Sequence, residues 1–213
     1  MTPKHSLAVD PVLLHVLGLL DRLAEGQSPN PLDERIRIRA LLDQGEAVVG
    51  SGREWDLSKY ALVSWIDEML VETNWASRDW WSNNVLEMDL FRSRMCSEQF
   101  FINAKEASTL ARRDALEVYY VCVVLGFRGL YRDPGLAAML TQQHALPQNL
   151  ATWAKQTALA IRLGQGRPTL AAAQRDVNGA PPVKPKNAVV WPWLFAGMLA
   201  AWNVIYFTLF FSH

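Results

Sequence analysis

Apolar positions recur at helical spacing along most of the chain, and the residues between them punctuate it legibly. Asp10-Pro11 pairs a cap acceptor with a first-turn proline, Val12, Leu13, Val16, Leu17, Leu20 and Leu23 follow, and Gly26 closes the run. Asn30-Pro31 repeats the device and opens a helix with Leu32, Ile36 and Leu42 on one side; Asp33, Glu34, Arg35, Arg37 and Arg39 fill the other. Asp56 is placed to cap a third helix, whose apolar face includes Leu57, Tyr60, Ile66 and Leu70 and which ends near Thr73. Shorter helices are predicted over 84–95 and 97–108, and a longer one over 111–125. The last of these is apolar nearly all round, which places it in the middle of a bundle. Asp133-Pro134 starts another helix, and 147–163 forms one more, stopped at Gly164. Residues 118–125 are rich in β-branched side chains, but no alternating run with hairpin turns competes. The predicted fold class is all-α.

The pattern changes at the C-terminal end. Residues 189–211 contain no Asp, Glu, Lys or Arg. At about 1.5 Å per helical residue the stretch reaches about 35 Å, enough to cross a hydrocarbon core of about 30 Å. Pro192 falls in its first turn, and Trp191 and Trp193 sit where indoles favour the water–lipid boundary. The expectation is a tail-anchored protein in three parts: a helical domain over 1–163, a basic Pro/Gly linker over 164–188, and a transmembrane helix over 189–211. Lys184 and Lys186 lie just before the span, so the positive-inside rule keeps the main domain cytoplasmic. The interrupted run Val12 to Leu20 lacks the features of a signal peptide. Within the span, Ala196/Ala200 and Gly197/Ala201 place small residues four apart, and Asn203 can hydrogen-bond across a helix pair. Gly197, Ala201 and Asn203 are therefore the candidate dimerisation residues.

Composition sharpens this division. The 213 residues carry 21 basic and 21 acidic side chains, and the zero balance removes any global case for a nucleic-acid binder. The balance is not uniform: 1–148 is net −5, 149–187 is net +5, and the rest is uncharged. Cys96 and Cys122 share no metal-ligand spacing and suit a reducing compartment.

Candidate chemistry is sparse. His5, His15, His144 and His213 form no ligand motif, no nucleophile elbow or phosphate loop occurs, and Gly164-Gln165-Gly166 reads as linker. No catalytic residue, metal or cofactor is expected. Asp67, Glu68 and Glu72 make the sharpest polar group. Glu68 and Glu72 share a helical face, while Asp67 points elsewhere and can reach a neighbouring helix. Three readings are open for them: a solvated face or internal salt links to Arg128 or Arg132, an acidic docking surface for a basic partner, or acid/base chemistry. Trp80 and Trp81 are adjacent, about 100° apart on a helix, so one of them can be exposed as a partner-binding anchor.

The central block also resembles a known family. Tyr60-Ala61-Leu62, Ile66-Asp67-Glu68 and Thr73-Asn74-Trp75 are similar to the Y-A-L…L-D-E…T-x-W pattern of the DotU/TssL (IcmH) family. Glu98 with Phe100-Phe101 resembles its G-E-x-F-F segment, with Ser97 in place of the glycine. Leu116-Glu117-Val118-Tyr119-Tyr120 and Leu125 to Arg132 resemble L-E-L-x-Y…L-G-F-x-G-x-Y-R. The resemblance implies an inner-membrane component of a bacterial type VI or type IVB secretion system, with a hook-like cytoplasmic domain of two small helical bundles and one C-terminal transmembrane helix. It further implies a non-catalytic scaffold that dimerises and assembles with an IcmF/TssM-type membrane protein, a TssK-type baseplate component and a TssJ-type lipoprotein. The family's acidic pair falls on Asp67 and Glu68. Two alternatives remain open on sequence: an unrelated tail-anchored helical adaptor, and a membrane-tethered hydrolase using the carboxylates.

Overall fold

The computed structural model describes residues 1–164 and 190–211, and the chain divides into two units, Met1–Arg167 and Pro168–His213. Among the described residues there is helix and no strand. The first unit contains α1 (Pro3–Ala24), α2 (Pro31–Val49), α3 (Arg53–Glu72), α4 (Arg78–Asn83), α5 (Leu86–Phe91), α6 (Cys96–Ala107), α7 (Asp114–Val124), a 3-10 turn (Gly129–Arg132), α8 (Pro134–Gln143) and α9 (Leu150–Gly164). The second contains α10 (Val190–Phe211). Most of the linker expected over 164–188 lies outside the described residues.

α1 and α2 form an antiparallel hairpin that rests on α3. α3 is the spine of the unit: it packs against α1, α2, α4, α5, α6 and most extensively α7. α7 lies between α3, α6 and α9, as its all-round apolar sequence requires. The core is aromatic around α6. Phe100 and Phe101 are fully buried, and rings of Tyr119, Phe127, Tyr131 and Trp153 close around them.

Several expected boundaries move for identifiable reasons. α1 starts at Pro3, where the Thr2 hydroxyl accepts from the His5 N–H, so Asp10-Pro11 is interior and not a start. Pro11 and Leu7, the residue whose carbonyl loses its helical partner, both lie on the exposed side of α1. Asn30-Pro31 and Asp133-Pro134 do open helices: Asn30 Oδ1 accepts from Leu32 N–H at 3.0 Å and Asp133 Oδ1 from Gly135 N–H at 2.8 Å. α2 presents Glu34, Ile38, Leu42 and Gly45 inward, so of the expected apolar side Leu42 is buried while Leu32 and Ile36 are exposed. α3 begins at Arg53 after Gly52, so Asp56 sits inside its first turn. The helix expected over 84–95 is the shorter α5, and α4 before it has no counterpart among the expected helices. α7 ends in a tight turn: Gly126, at φ 113°, donates to Val123 O while Phe127 donates to Cys122 O.

Gly45 lets the hairpin approach α3. A Cβ there falls 2.4 Å from Trp55 Cη2 and 3.0 Å from the Ala8 carbonyl, and the Trp55 ring is 1% exposed with no room to retreat. Gly45→Ala is expected to lower stability by about 1–2 kcal/mol, overpacking outweighing the helix propensity gained. Urea unfolding of the purified chain checks this.

In α10 the side chains of residues 193–207 are described, and all are exposed within the chain. Among the described residues no helix is long and apolar enough to cross a membrane. The helical backbone itself continues from Val190 to Phe211, 22 residues. Asn203 donates to Leu199 O at 3.2 Å, and the Gly197 Cα borders open space.

Candidate docking site

Asp67 and Glu68 of α3 are positioned by one rule: each side chain meets backbone N–H groups that local sequence leaves without a cap. α5 begins after Val85, which has no side-chain acceptor to offer. Asp67 supplies it from α3. Its Oδ1 accepts from Leu86 N–H at 2.9 Å and from the Trp81 indole N–H at 3.0 Å, and its Oδ2 accepts from Glu87 N–H at 2.8 Å. The same device recurs one helix later. Glu87, only 1% exposed, accepts from Met95 N–H at 3.1 Å and Cys96 N–H at 3.2 Å at the start of α6, while Tyr60 O–H donates to it at 2.7 Å. Carboxylates at helix N-termini also meet the positive end of the helix dipole.

Glu68 does the same for the 3-10 turn. Its two oxygens accept from Arg128 N–H at 2.7 Å and Gly129 N–H at 3.0 Å, and Arg132 pairs with it at 2.8 Å. Arg132 also pairs with Glu72. The salt links considered from sequence therefore form through the Arg132 guanidinium, and Arg128 contributes its backbone. Arg128 and Tyr131 line an open cavity of ≈ 970 Å³ with Ala137, Thr141 and Leu146. The Glu68 clamp thus sets one rim of that cavity.

Burial separates the predicted partner-binding residues into two groups. Asp67 is 3% and Trp81 0% exposed, so neither side chain is at the surface. Glu72 is exposed at the end of α3, and Trp80 on α4 is partly exposed, with its ring 6.2 Å from Trp81. Trp81 also lies 6.4 Å from Trp75, whose indole donates to Leu70 O at 2.8 Å. Glu87 was not singled out in the sequence reading. Its cap targets lie eight and nine residues further along, beyond the span of any local capping motif.

Burial pushes the Asp67 carboxyl up from 3.8 to about 6, against the opposing pull of the two amides and the indole. Because the folded chain holds this proton more tightly than the unfolded one, the group's contribution to stability is complete below pH 3.8 and is lost as pH rises through about 6. A carboxyl-carbon NMR titration is expected to place the Asp67 midpoint near pH 6. A midpoint in the ordinary aspartate range would contradict that environment. Burial also raises the Cys96 thiol to about 12, with Glu87 nearby reinforcing the shift, which leaves it unreactive at neutral pH. Among the described residues no group of His, Cys, Asp and Glu could hold a metal ion.

The first unit is thus an all-helical body whose buried carboxylates cap its own helices. The sequence model of the family described as "Type VI secretion system protein DotU" matches residues 7–213. Among solved structures, the chain is similar to the cytoplasmic domain of TssL from Acinetobacter baumannii, with a TM-score of 0.53 and 24% identity over 72% of this chain and 96% of that one. No curated protein matches. The chain belongs to the DotU family, structural components of the type VI secretion membrane complex.

Proposed function

We propose that this protein is a non-catalytic scaffold that holds the type VI secretion baseplate at the inner membrane. Its helical domain faces the cytoplasm over 1–163, residues 164–188 link it to the bilayer, and 189–211 cross it. α10 supports this reading: its 22 helical residues reach about 33 Å, and Trp193, Phe195, Met198 and Trp202 are each more than 60% exposed in the chain alone. Such a surface suits lipid. Gly197 and Ala201 permit close helix approach and Asn203 a cross-helix hydrogen bond, so a second copy pairs through the span. An IcmF/TssM-type protein and a TssJ-type lipoprotein complete the membrane assembly, and a TssK-type component docks from the cytoplasm.

The observation that carries the docking assignment is the split in burial along α3 and α4. Asp67, Glu68 and Trp81 act as positioning residues, fixing α4, α5 and the 3-10 turn. Glu72 and Trp80 are the contact residues they hold in place, a charge and an aromatic anchor of the kind that dominates interfaces. The same hydrogen bonds weigh against the hydrolase alternative, since both Asp67 oxygens are already occupied by donors. Glu72→Lys/Trp80→Ser is expected to weaken binding of a purified TssK-type component by at least about tenfold, as loss of an aromatic hot spot does, with the far-UV circular dichroism unchanged. Undiminished affinity in the folded variant would overturn the contact assignment.

A further inference from the structure

α9 has a second apolar stripe that its packing does not use. Trp153, Thr157 and Ile161 are buried and face the rest of the unit. On the other side Leu159 is 58% and Leu163 72% exposed, and Lys155 and Arg162 are exposed with them. At 100° per residue these four fall within an arc of about 100°. The helix has no Asp or Glu over its 15 residues, and neither basic head has an ion-pair partner among the described residues. The neighbouring loop adds charge of the same sign: Arg112 is exposed, and the Arg113 side chain lies against Gly164. Exposed Lys105 borders the groove beside Gln156. The chain beyond continues the trend, with Arg167, Arg175, Lys184 and Lys186 against Asp176 alone.

We infer that the outer face of α9 docks the helical domain onto an anionic bilayer surface, with Leu159 and Leu163 entering the acyl boundary and Lys155 and Arg162 at the lipid phosphates. Leucines flanked by long basic side chains suit this boundary, because the methylene stems share the apolar layer while the charged heads stay at the headgroups. Charge complementarity selects a bilayer containing phosphatidylglycerol or cardiolipin over a neutral one. The inference rests on the reading of 189–211 as a span, and it adds a second, reversible membrane contact. Such a contact would fix which side of the domain turns to the membrane and leave the Glu72 and Trp80 surface to a partner.

The test uses the full chain in proteoliposomes of phosphatidylcholine, with or without phosphatidylglycerol, carrying doxyl-labelled lipid. A bimane probe is placed at Gln156→Cys, with Gln44→Cys on α2 as the comparison site; Cys96→Ser removes the partly buried native thiol as a precaution, and Cys122 is fully buried. Alkaline carbonate extraction of the same vesicles reports the span separately. The expected result is a retained chain whose probe at 156 is quenched in the anionic vesicles, more than in neutral ones and more than the probe at 44. Lys155→Gln/Arg162→Gln is expected to lower the docked-to-undocked ratio roughly twenty-five-fold, about fivefold per charge. Leu159→Ser/Leu163→Ser is expected to lower it also. A retained chain with equal quenching at 156 and 44, or with quenching indifferent to these variants, overturns the α9 inference alone. A chain stripped by carbonate overturns the span and the inference together.

Discussion

Asp67→Ala is expected to lower the unfolding free energy by about 3 kcal/mol or more, because it removes the cap of α5 and leaves buried donors without acceptors at about 1–3 kcal/mol each. The donors are the Leu86 and Glu87 amides and the Trp81 indole, all held within 3.0 Å of the carboxylate. Relief from burying the carboxylate offsets part of the loss. Asp67→Asn is expected to fall between the wild type and the alanine variant. It retains one acceptor, but its Nδ2 faces the Glu87 N–H and two donors then oppose each other. Denaturant unfolding followed by near-ultraviolet circular dichroism reads the effect directly, since Trp81 loses its partner. An alanine variant within about 1 kcal/mol of the wild type would show that the cap contributes no more than an exposed surface contact.

Phe100→Ala is the second large effect, at about 3–5 kcal/mol, the usual cost of truncating a buried ring. Phe100 is 0% exposed, its ring centroid is 3.9 Å from Phe127 and 4.7 Å from Tyr119, and it also meets Phe101 at 5.1 Å. These rings come from α6, α7 and the segment just before the 3-10 turn, so the cavity would open where three parts of the chain meet. Phe101→Leu, which conserves most of the volume, is expected to cost much less. Equal losses for the two variants would mean that the ring-to-ring contacts, and not the buried volume lost, set the cost.

Local punctuation carried the helices whose caps are local. Asn30-Pro31 and Asp133-Pro134 could be recognised because acceptor, proline and first turn are neighbours in sequence. Asp10-Pro11 has the same letters but lies mid-helix, since Thr2 provides an earlier cap and α1 turns its proline to solvent. The start of α5 left no local trace. α5 is capped by Asp67, 19 and 20 residues upstream, and α6 by Glu87; a cap supplied across the fold has no sequence motif. Periodicity grouped Leu42 with Leu32 and Ile36, but in the fold Leu42 faces inward with Ile38, on the side where Gly45 leaves room for Trp55.

The candidate site was legible as a cluster and less so as a set of roles. Spacing placed Glu68 and Glu72 on one face, and both do meet Arg132. The separate direction of Asp67 was also legible, along with its reach to a neighbouring element. What sequence could not supply was depth. An acidic side chain next to an exposed one on the same helix can be fully engaged, and only burial separates Asp67 from Glu72.

A docking role for the α3–α4 surface is tested most directly by what touches Trp80. A photo-crosslinking residue placed there in the full chain, expressed in the bacterium that assembles the complex, is expected to capture the TssK-type component, identified by mass spectrometry. The same residue at Gln44 on α2 is expected to leave it uncaptured. Capture at both positions, or at neither while the membrane complex still assembles, would contradict a docking surface held in place by Asp67 and Glu68.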